Sequence, residues 1–180
     1  MTWDQYELDV TIRRLGDSDA AALYEAVEES KSEIGQWMDW CRSDYSLEDA
    51  REWIESSQKA FEDRTRYGFG IFESQNRYLG QVGLSHIHDQ AKNASLGYWV
   101  RSSATGHGVA PAAVKLLAEW AFCDTDLQRL EIVVAVENVR SQRVAEKVGA
   151  TREGVLKSKL RVFDRYFDAV MYSIVRGEGW

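Results

Sequence analysis

"SSATGHGVAPAAVK", Ser102–Lys115, is the stretch on which the reading of this chain turns. The strand-like run "SLGYWV" (95–100) precedes it and the helix-like run "PAAVKLLAEWAF" (111–122) follows, so Gly106 and Gly108 occupy a strand-to-helix turn. Glycine permits left-handed backbone and close approach to a neighbour. Amide N–H groups at a helix start face outward and attract anions by about 0.3–1 kcal/mol, up to about 2 kcal/mol when partly buried, which makes phosphate the natural guest. An ordinary glycine turn is the competing reading. The dinucleotide fingerprint fails because its third glycine would fall at Pro111, and the phosphate-loop pattern fails because no Gly-Lys-Ser/Thr follows.

Upstream of the turn, apolar residues recur with a period of two. "YGFGIFE", "RYLGQVGLSHIH" and "ASLGYWV" read as three consecutive strands of an antiparallel meander, joined by the polar turns "SQN" and "DQAKN". Earlier, "DVTIRRL" reads as a strand ending at Leu15, and "GDSDAAALYEAVEES" as a helix with Asp17 or Ser18 near its start. A second helical segment is expected over "SEIGQWMDW". Ser46 and Asp49 form a capping-box pattern that opens a further helix, with Ala50, Trp53, Ile54 and Phe61 on one face.

Downstream, Val114, Leu117, Trp120 and Ala121 make the buried stripe of a helix that accepts Pro111 in its first turn, and Cys123 near its end reads as a core residue. "LEIVVAV" is a continuous apolar strand, expected to be buried on both faces. "ENVRSQRVAEKVGA" reads as a short helix, apolar at Val144, Ala145 and Val148 and stopped by Gly149. Two last strands lie around "REGVLKSKL" and "DAVMYSIV". With one proline, no repeat and no low-complexity segment, residues 1–180 read as a single domain.

A chain of 180 residues at 44% hydrophobic composition can bury an ordinary core. No apolar run approaches the length of a bilayer span, and "MTWDQYELDV" lacks the basic-then-apolar layout of a secretory leader, so no membrane partner and a cytoplasmic location are expected. Cys41 and Cys123 are too few and too far apart for a disulfide framework or thiolate metal site, and no metal is expected. A net charge of −7 argues against direct nucleic-acid binding. The charge is uneven: residues 1–64 hold 17 Asp and Glu against 7 Lys and Arg. That half either draws a cationic ligand or simply carries solvated acidic helix faces.

A meander, a glycine turn with its helix, an apolar strand, the "ENVRSQRVAEKVGA" helix and two closing strands together resemble the GNAT superfamily of acetyl-CoA-dependent N-acetyltransferases, over nearly the whole chain. The resemblance implies an α/β (α+β) fold, a mixed central sheet of about seven strands flanked by helices. It implies that the N–H groups of Gly106, His107, Gly108, Val109 and Ala110 hold the pyrophosphate of acetyl-CoA, with Val100 also on the coenzyme side and His107 contributing backbone only. Thr105 stands where Gln or Arg is usual in the family. Strand N–H groups of "LGYWV" would polarise the thioester carbonyl.

"GQWMDW", "LGYWV" and "ENVRSQRVAEKVGATREGVL" are similar to the RimJ/RimL type of ribosomal-protein N-terminal acetyltransferases. By that resemblance Asn138 contacts the coenzyme and Ser141 donates a proton to the departing thiolate; by composition alone Asn138 is a helix cap and Ser141 a first-turn surface serine. Trp37 and Trp40 line the acceptor pocket by resemblance, or form a core pair by spacing. No general base stands out. His86 is the candidate, being near the expected site, with His88 and Glu73 behind it. A lone strand histidine is also a common structural or exposed residue.

The expected reaction is acetyl transfer to a primary amine, the α-amine of a protein or peptide N-terminus. The alternatives are a small polyamine, amino acid or drug as acceptor, or a non-catalytic acyl-CoA-binding module. A homodimer is among the assemblies the sequence allows.

Overall fold

The alternating runs pair into one seven-stranded sheet in the computed structural model, which describes residues 9–73 and 75–178. In chain order the elements are β1 (Val10–Arg13), α1 (Ala20–Ile34), α2 (Leu47–Glu62), β2 (Tyr67–Glu73), β3 (Tyr78–His88), β4 (Asn93–Val100), α3 (Val109–Asp124), β5 (Arg129–Ala135), α4 (Val139–Lys147), β6 (Thr151–Val162) and β7 (Arg165–Val175). The sheet order is β1-β2-β3-β4-β5-β7-β6. Every neighbour is antiparallel except β4 and β5, which run parallel because α3 carries the chain back between them. The mixed sheet with flanking helices is the architecture expected from the sequence.

Successive strand residues face opposite sides, and this divides the core in two. On one face Phe69, Ile71, Val82, Leu84, Ala94 and Leu96 pack with Val114, Leu117 and Ala121 of α3. On the other, Phe72, Tyr78 and Trp99 pack with Leu23 and Val27 of α1 and with Ala50 and Ile54 of α2. The start of α2 follows from local chemistry: the Ser46 side chain accepts from the Asp49 N–H at 3.2 Å, and the Asp49 carboxylate accepts from the Ser46 N–H at 2.8 Å.

Three sequence expectations change. The chain is not helical over Trp37–Trp40: Gly35 ends α1, and turns follow. A Cβ at Gly35 would lie 2.9 Å from the Lys31 carbonyl and 3.2 Å from that of Cys41, so the chain folds back over this glycine, and the three-residue spacing of the tryptophans mimics a helix without making one. Second, β5 is fully buried on one face only, through Leu130, Ile132 and Val134. Its other face carries Arg129 and Glu131, because α1 and α2 cover the β2–β4 side of the sheet and stop short of it. Third, Cys123 is exposed. It lies two residues beyond Ala121, about 200° around the helix from that buried position.

The leader reading rests largely on residues 1–8, which lie outside the described residues. Among the described residues no helix is long and apolar enough to cross a membrane.

Candidate active site

The glycine turn has the backbone its sequence requires. Gly106 and Gly108 sit at φ +82° and +84°, the left-handed region where a side chain is strained, and Gly108 caps the start of α3. A Cβ at Gly106 would meet nothing within 4 Å, so the turn is open on its outer side. Among the described residues, no N–H from Gly106 to Ala110 donates to another group of the chain. A run of unspent donors at a helix start fits a phosphate group.

The turn is anchored to α1. Arg101 pairs with Glu29 and donates to the Tyr78 carbonyl at 3.1 Å, the Ser103 N–H donates to Glu29 at 2.8 Å, and the Ser102 N–H donates to the Ser30 hydroxyl at 2.9 Å. The Arg101 guanidinium and these donors hold the Glu29 carboxyl down at about 2. Thr105 turns its hydroxyl onto the Ser102 carbonyl at 2.8 Å, within the turn, and the His107 side chain is exposed.

Beyond the turn the sheet opens. β4 and β5 pair only from Asn93 to Ser95 against Arg129 to Glu131. β4 nevertheless stays paired to β3 as far as Val100, and β5 to β7 as far as Ala135, so the facing edges diverge into a wedge with unpaired backbone on both sides. Across this wedge the Tyr98 hydroxyl lies 2.8 Å from Ser141 Oγ and donates or accepts there, with the Ser141 carbonyl at 3.0 Å. Asn138 caps α4 by accepting the Ser141 N–H at 3.1 Å. Ser141 is therefore a part-buried residue aimed at the sheet, unlike the surface serine that composition favoured. Burial pushes the Tyr98 hydroxyl up to about 12, so it keeps its proton at neutral pH.

On the α1–α2 side of β4 lies a cavity of about 570 Å³. Its floor is bare because Gly68, Gly83 and Gly97 stand side by side on β2, β3 and β4. A Cβ at Gly97 would meet nothing within 4 Å. Trp40, Trp53, Trp99 and Tyr45 form aromatic walls, and Tyr98 borders the cavity while its side chain leaves on the opposite face of β4. Trp40 stands 6.0 Å from Trp99, centroid to centroid, and 40% of its surface is exposed. Trp37 is not in this lining: it packs edge-on against Phe167 at 6.0 Å, beside Ala135 and Val162. The tryptophan pair is thus divided between two environments.

The histidines also fall outside the cavity lining. A bulge between Ser85 and His88 breaks the alternation of β3 and leaves His86 exposed at φ +48°, its Nδ1 3.1 Å from the Ser85 hydroxyl. His88 accepts the Ala91 N–H at 3.1 Å and serves the following turn. Glu73 lies at the far end of β2, 3.6 Å from Arg77. The charges in the cavity lining are balanced, Asp49 and Glu52 against Arg42 and Arg66, while Glu25, Glu48, Glu55 and Glu62 face solvent. The acidic first half is mainly a solvated helix surface.

Residues 9–151 match the family described as "Acetyltransferase (GNAT) domain". The chain belongs to the GNAT acetyltransferase family. The ribosomal-protein-serine acetyltransferase of Escherichia coli is 25% identical over 162 residues, covering 90% of each chain. Among solved structures, the RimL ribosomal L7/L12 alpha-N-protein acetyltransferase in complex with coenzyme A matches with a TM-score of 0.86 at 26% identity, covering 93% of this chain and 94% of that one. RimJ of Mycobacterium smegmatis, in complex with a coenzyme A disulfide, matches with a TM-score of 0.83 at 26% identity, covering 94% of this chain and 83% of that one.

Membership makes this GNAT protein an acetyl-CoA-dependent N-acetyltransferase, similar in sequence and fold to the RimJ/RimL-type enzymes, and the unspent donors of its glycine turn fit that co-substrate. One side chain at the wedge, Tyr98, is missing from the sequence expectations. Alternation along "LGYWV" puts it on the face opposite Gly97 and Trp99, and only the tertiary contact with α4 reveals its partner. Its hydroxyl has one proton and two acceptors within reach, the oxygens of Ser141. When Tyr98 donates to Ser141 Oγ, the serine proton is free for a third group; when it donates to the carbonyl, the serine proton is spent on Tyr98. The pair is two hydroxyls in hydrogen-bond contact at the edge of the wedge.

Proposed function

We propose that this protein acetylates the α-amine of a peptide or protein N-terminus, with a ribosomal protein as the leading class of acceptor, by direct transfer from acetyl-CoA. The carrying observation is the placement of the bare-floored cavity on one face of β4 and the Tyr98–Ser141 pair on the other, where β4 parts from β5. Among the described residues, the cavity lining contains neither histidine nor lysine. Asp49 is committed to the Ser46 cap and to Arg42, and Glu52, an exposed carboxylate, is the remaining and weak base of the lining. With reference pKa values, roughly 14% of an α-amine but only about 0.04% of a lysine amine is neutral at pH 7, so a site without a strong base suits the α-amine.

In this reading Gly106, His107, Gly108, Val109 and Ala110 receive the pyrophosphate through their N–H groups, and Val100 and Asn138 border the coenzyme. Unpaired N–H groups of β4 polarise the thioester carbonyl. The neutral acceptor amine attacks that carbon and the carbon–sulfur bond breaks; Ser141 gives its proton to the leaving sulfur and regains one through Tyr98, and the proton shed by the acylated nitrogen passes to solvent water, which restores the pair. Trp40 lines the acceptor side. Trp37 supports it from the Phe167 side, and His86 serves as a base only for an acceptor that extends past the bulge. Residues 1–180 act as one domain, in the cytoplasm, with a homodimer as an assembly to be measured.

Coenzyme A release across N-terminal peptides, lysine peptides and small amines, with mass spectrometry of the products, tests this reading. Acetylation mainly on α-amines supports it. Acetyl groups mainly on lysine side chains or polyamines overturn it, and binding of acetyl-CoA without turnover of any amine points to a non-catalytic module.

A further inference from the structure

Two arginines line the acceptor cavity, and they differ in partners. Arg42 pairs with Asp44 at 3.1 Å and Asp49 at 3.2 Å. Arg66 has no carboxylate within 4.0 Å among the described residues. Its guanidinium lies 4.3 Å over the Trp53 ring, and its Nη2 donates to the hydroxyls of Ser56 at 3.1 Å and Ser57 at 3.5 Å. Its Nε is buried with no acceptor. Trp99, 8% exposed and also in the cavity lining, likewise has a buried indole N–H without an acceptor. Both groups are donors only, and Arg66 Nη1 has no acceptor among the described residues, so the ligand that suits this end of the cavity is rich in acceptors. Burial without a counter-charge also lowers the Arg66 pKa, a cost that a bound anion offsets.

We propose that Arg66 recognises an anionic group, carboxylate or phosphate, carried by the acceptor at the end of the cavity away from the reacting amine. The inference rests on the acetyltransferase reading of the same cavity. Gly97 lies straight across β3 from Gly68, two strand spacings or about 10 Å away, and Arg66 is two residues before Gly68. With an extended chain advancing about 3.3–3.6 Å per residue, the anion falls about two or three residues from the amine. The Trp53 face and the two serines hold the guanidinium in place, which leaves Nη1 as the donor for an anion.

The test compares matched peptides with free α-amines, identical except for glutamate or glutamine at the second or third residue, and a phosphoserine peptide as a separate arm. KM and kcat are measured for the wild type, Arg66→Gln and Arg66→Lys, alongside calorimetric binding of the same peptides to the coenzyme A-bound protein. Wild type should prefer the acidic peptide by about tenfold to a hundredfold in KM, with kcat little changed. The better of the glutamate and phosphoserine arms identifies the anion. Arg66→Gln should erase the preference, raising KM for the glutamate peptide far more than for the glutamine peptide, and Arg66→Lys should retain part of it. A wild type indifferent to the acid, or a preference that survives Arg66→Gln, overturns the proposal. Equal loss for both peptides in Arg66→Gln means that Arg66 only holds Trp53 in place, and also overturns it. If no α-amine peptide is acetylated the proposed function fails by itself, and the calorimetric acid-over-amide ratio still decides the role of Arg66.

Discussion

Replacing Tyr98 by Phe removes one oxygen from the wedge and leaves the ring, so the result isolates the hydroxyl. That hydroxyl is the 2.8 Å neighbour of Ser141 Oγ and the 3.0 Å neighbour of its carbonyl, both part-buried. Leaving those oxygens without their partner costs about 1–3 kcal/mol, within the roughly 5–15 kcal/mol that stabilises a domain, so the variant folds. A positioned acid contributes about 10²–10⁴-fold, and a hydroxyl held up at about 12 belongs at the low end, so the chemical step should slow about 10–100-fold. Ser141→Ala should do the same, with acetyl-CoA affinity retained in both. The double variant should lose no more than the worse single variant, because the two residues handle one proton. Rapid-quench single turnovers with saturating acceptor measure the step, and calorimetry measures acetyl-CoA. An undiminished rate in Tyr98→Phe when chemistry limits turnover, or losses that multiply in the double variant, would refute the reasoning.

Gly108→Val places a branched side chain at φ +84° on the open turn; calorimetry should show coenzyme A affinity falling about a hundredfold or more in a folded protein, since one or two charge-assisted contacts are lost. Gly97→Leu fills the cavity floor from a Cβ that meets nothing within 4 Å, so the acceptor KM should rise about tenfold or more while coenzyme A affinity and melting temperature hold. The Glu29 carboxyl, depressed to about 2 from a reference of 4.5, contributes stability that is complete above the reference value and is lost as pH falls toward 2. The gap in melting temperature between wild type and Glu29→Gln should therefore be widest near neutrality and shrink below pH 4.5; a constant gap would mean that Arg101 is not its cause.

The amino-acid sequence by itself determined what local backbone physics controls. Alternation over seven residues made β2 legible to the residue, the Ser46–Asp49 box placed the start of α2, and Gly106 and Gly108 marked the left-handed turn that opens α3. Such signals act within one or two turns or one strand, so they survive without tertiary context. The wedge between β4 and β5, the row of Gly68, Gly83 and Gly97, and the Tyr98–Ser141 contact across 43 residues were decided only in three dimensions. Each depends on register and strand order, which bring distant residues together whatever their spacing. The same holds for the misread positions: Trp37 and Trp40 share a helical spacing, but Gly35 lets the chain fold back and sends one ring to Phe167 and the other to the cavity. For Arg66, sequence shows only a charge beside a strand; its burial against Trp53, away from any carboxylate of the described residues, was decided in three dimensions.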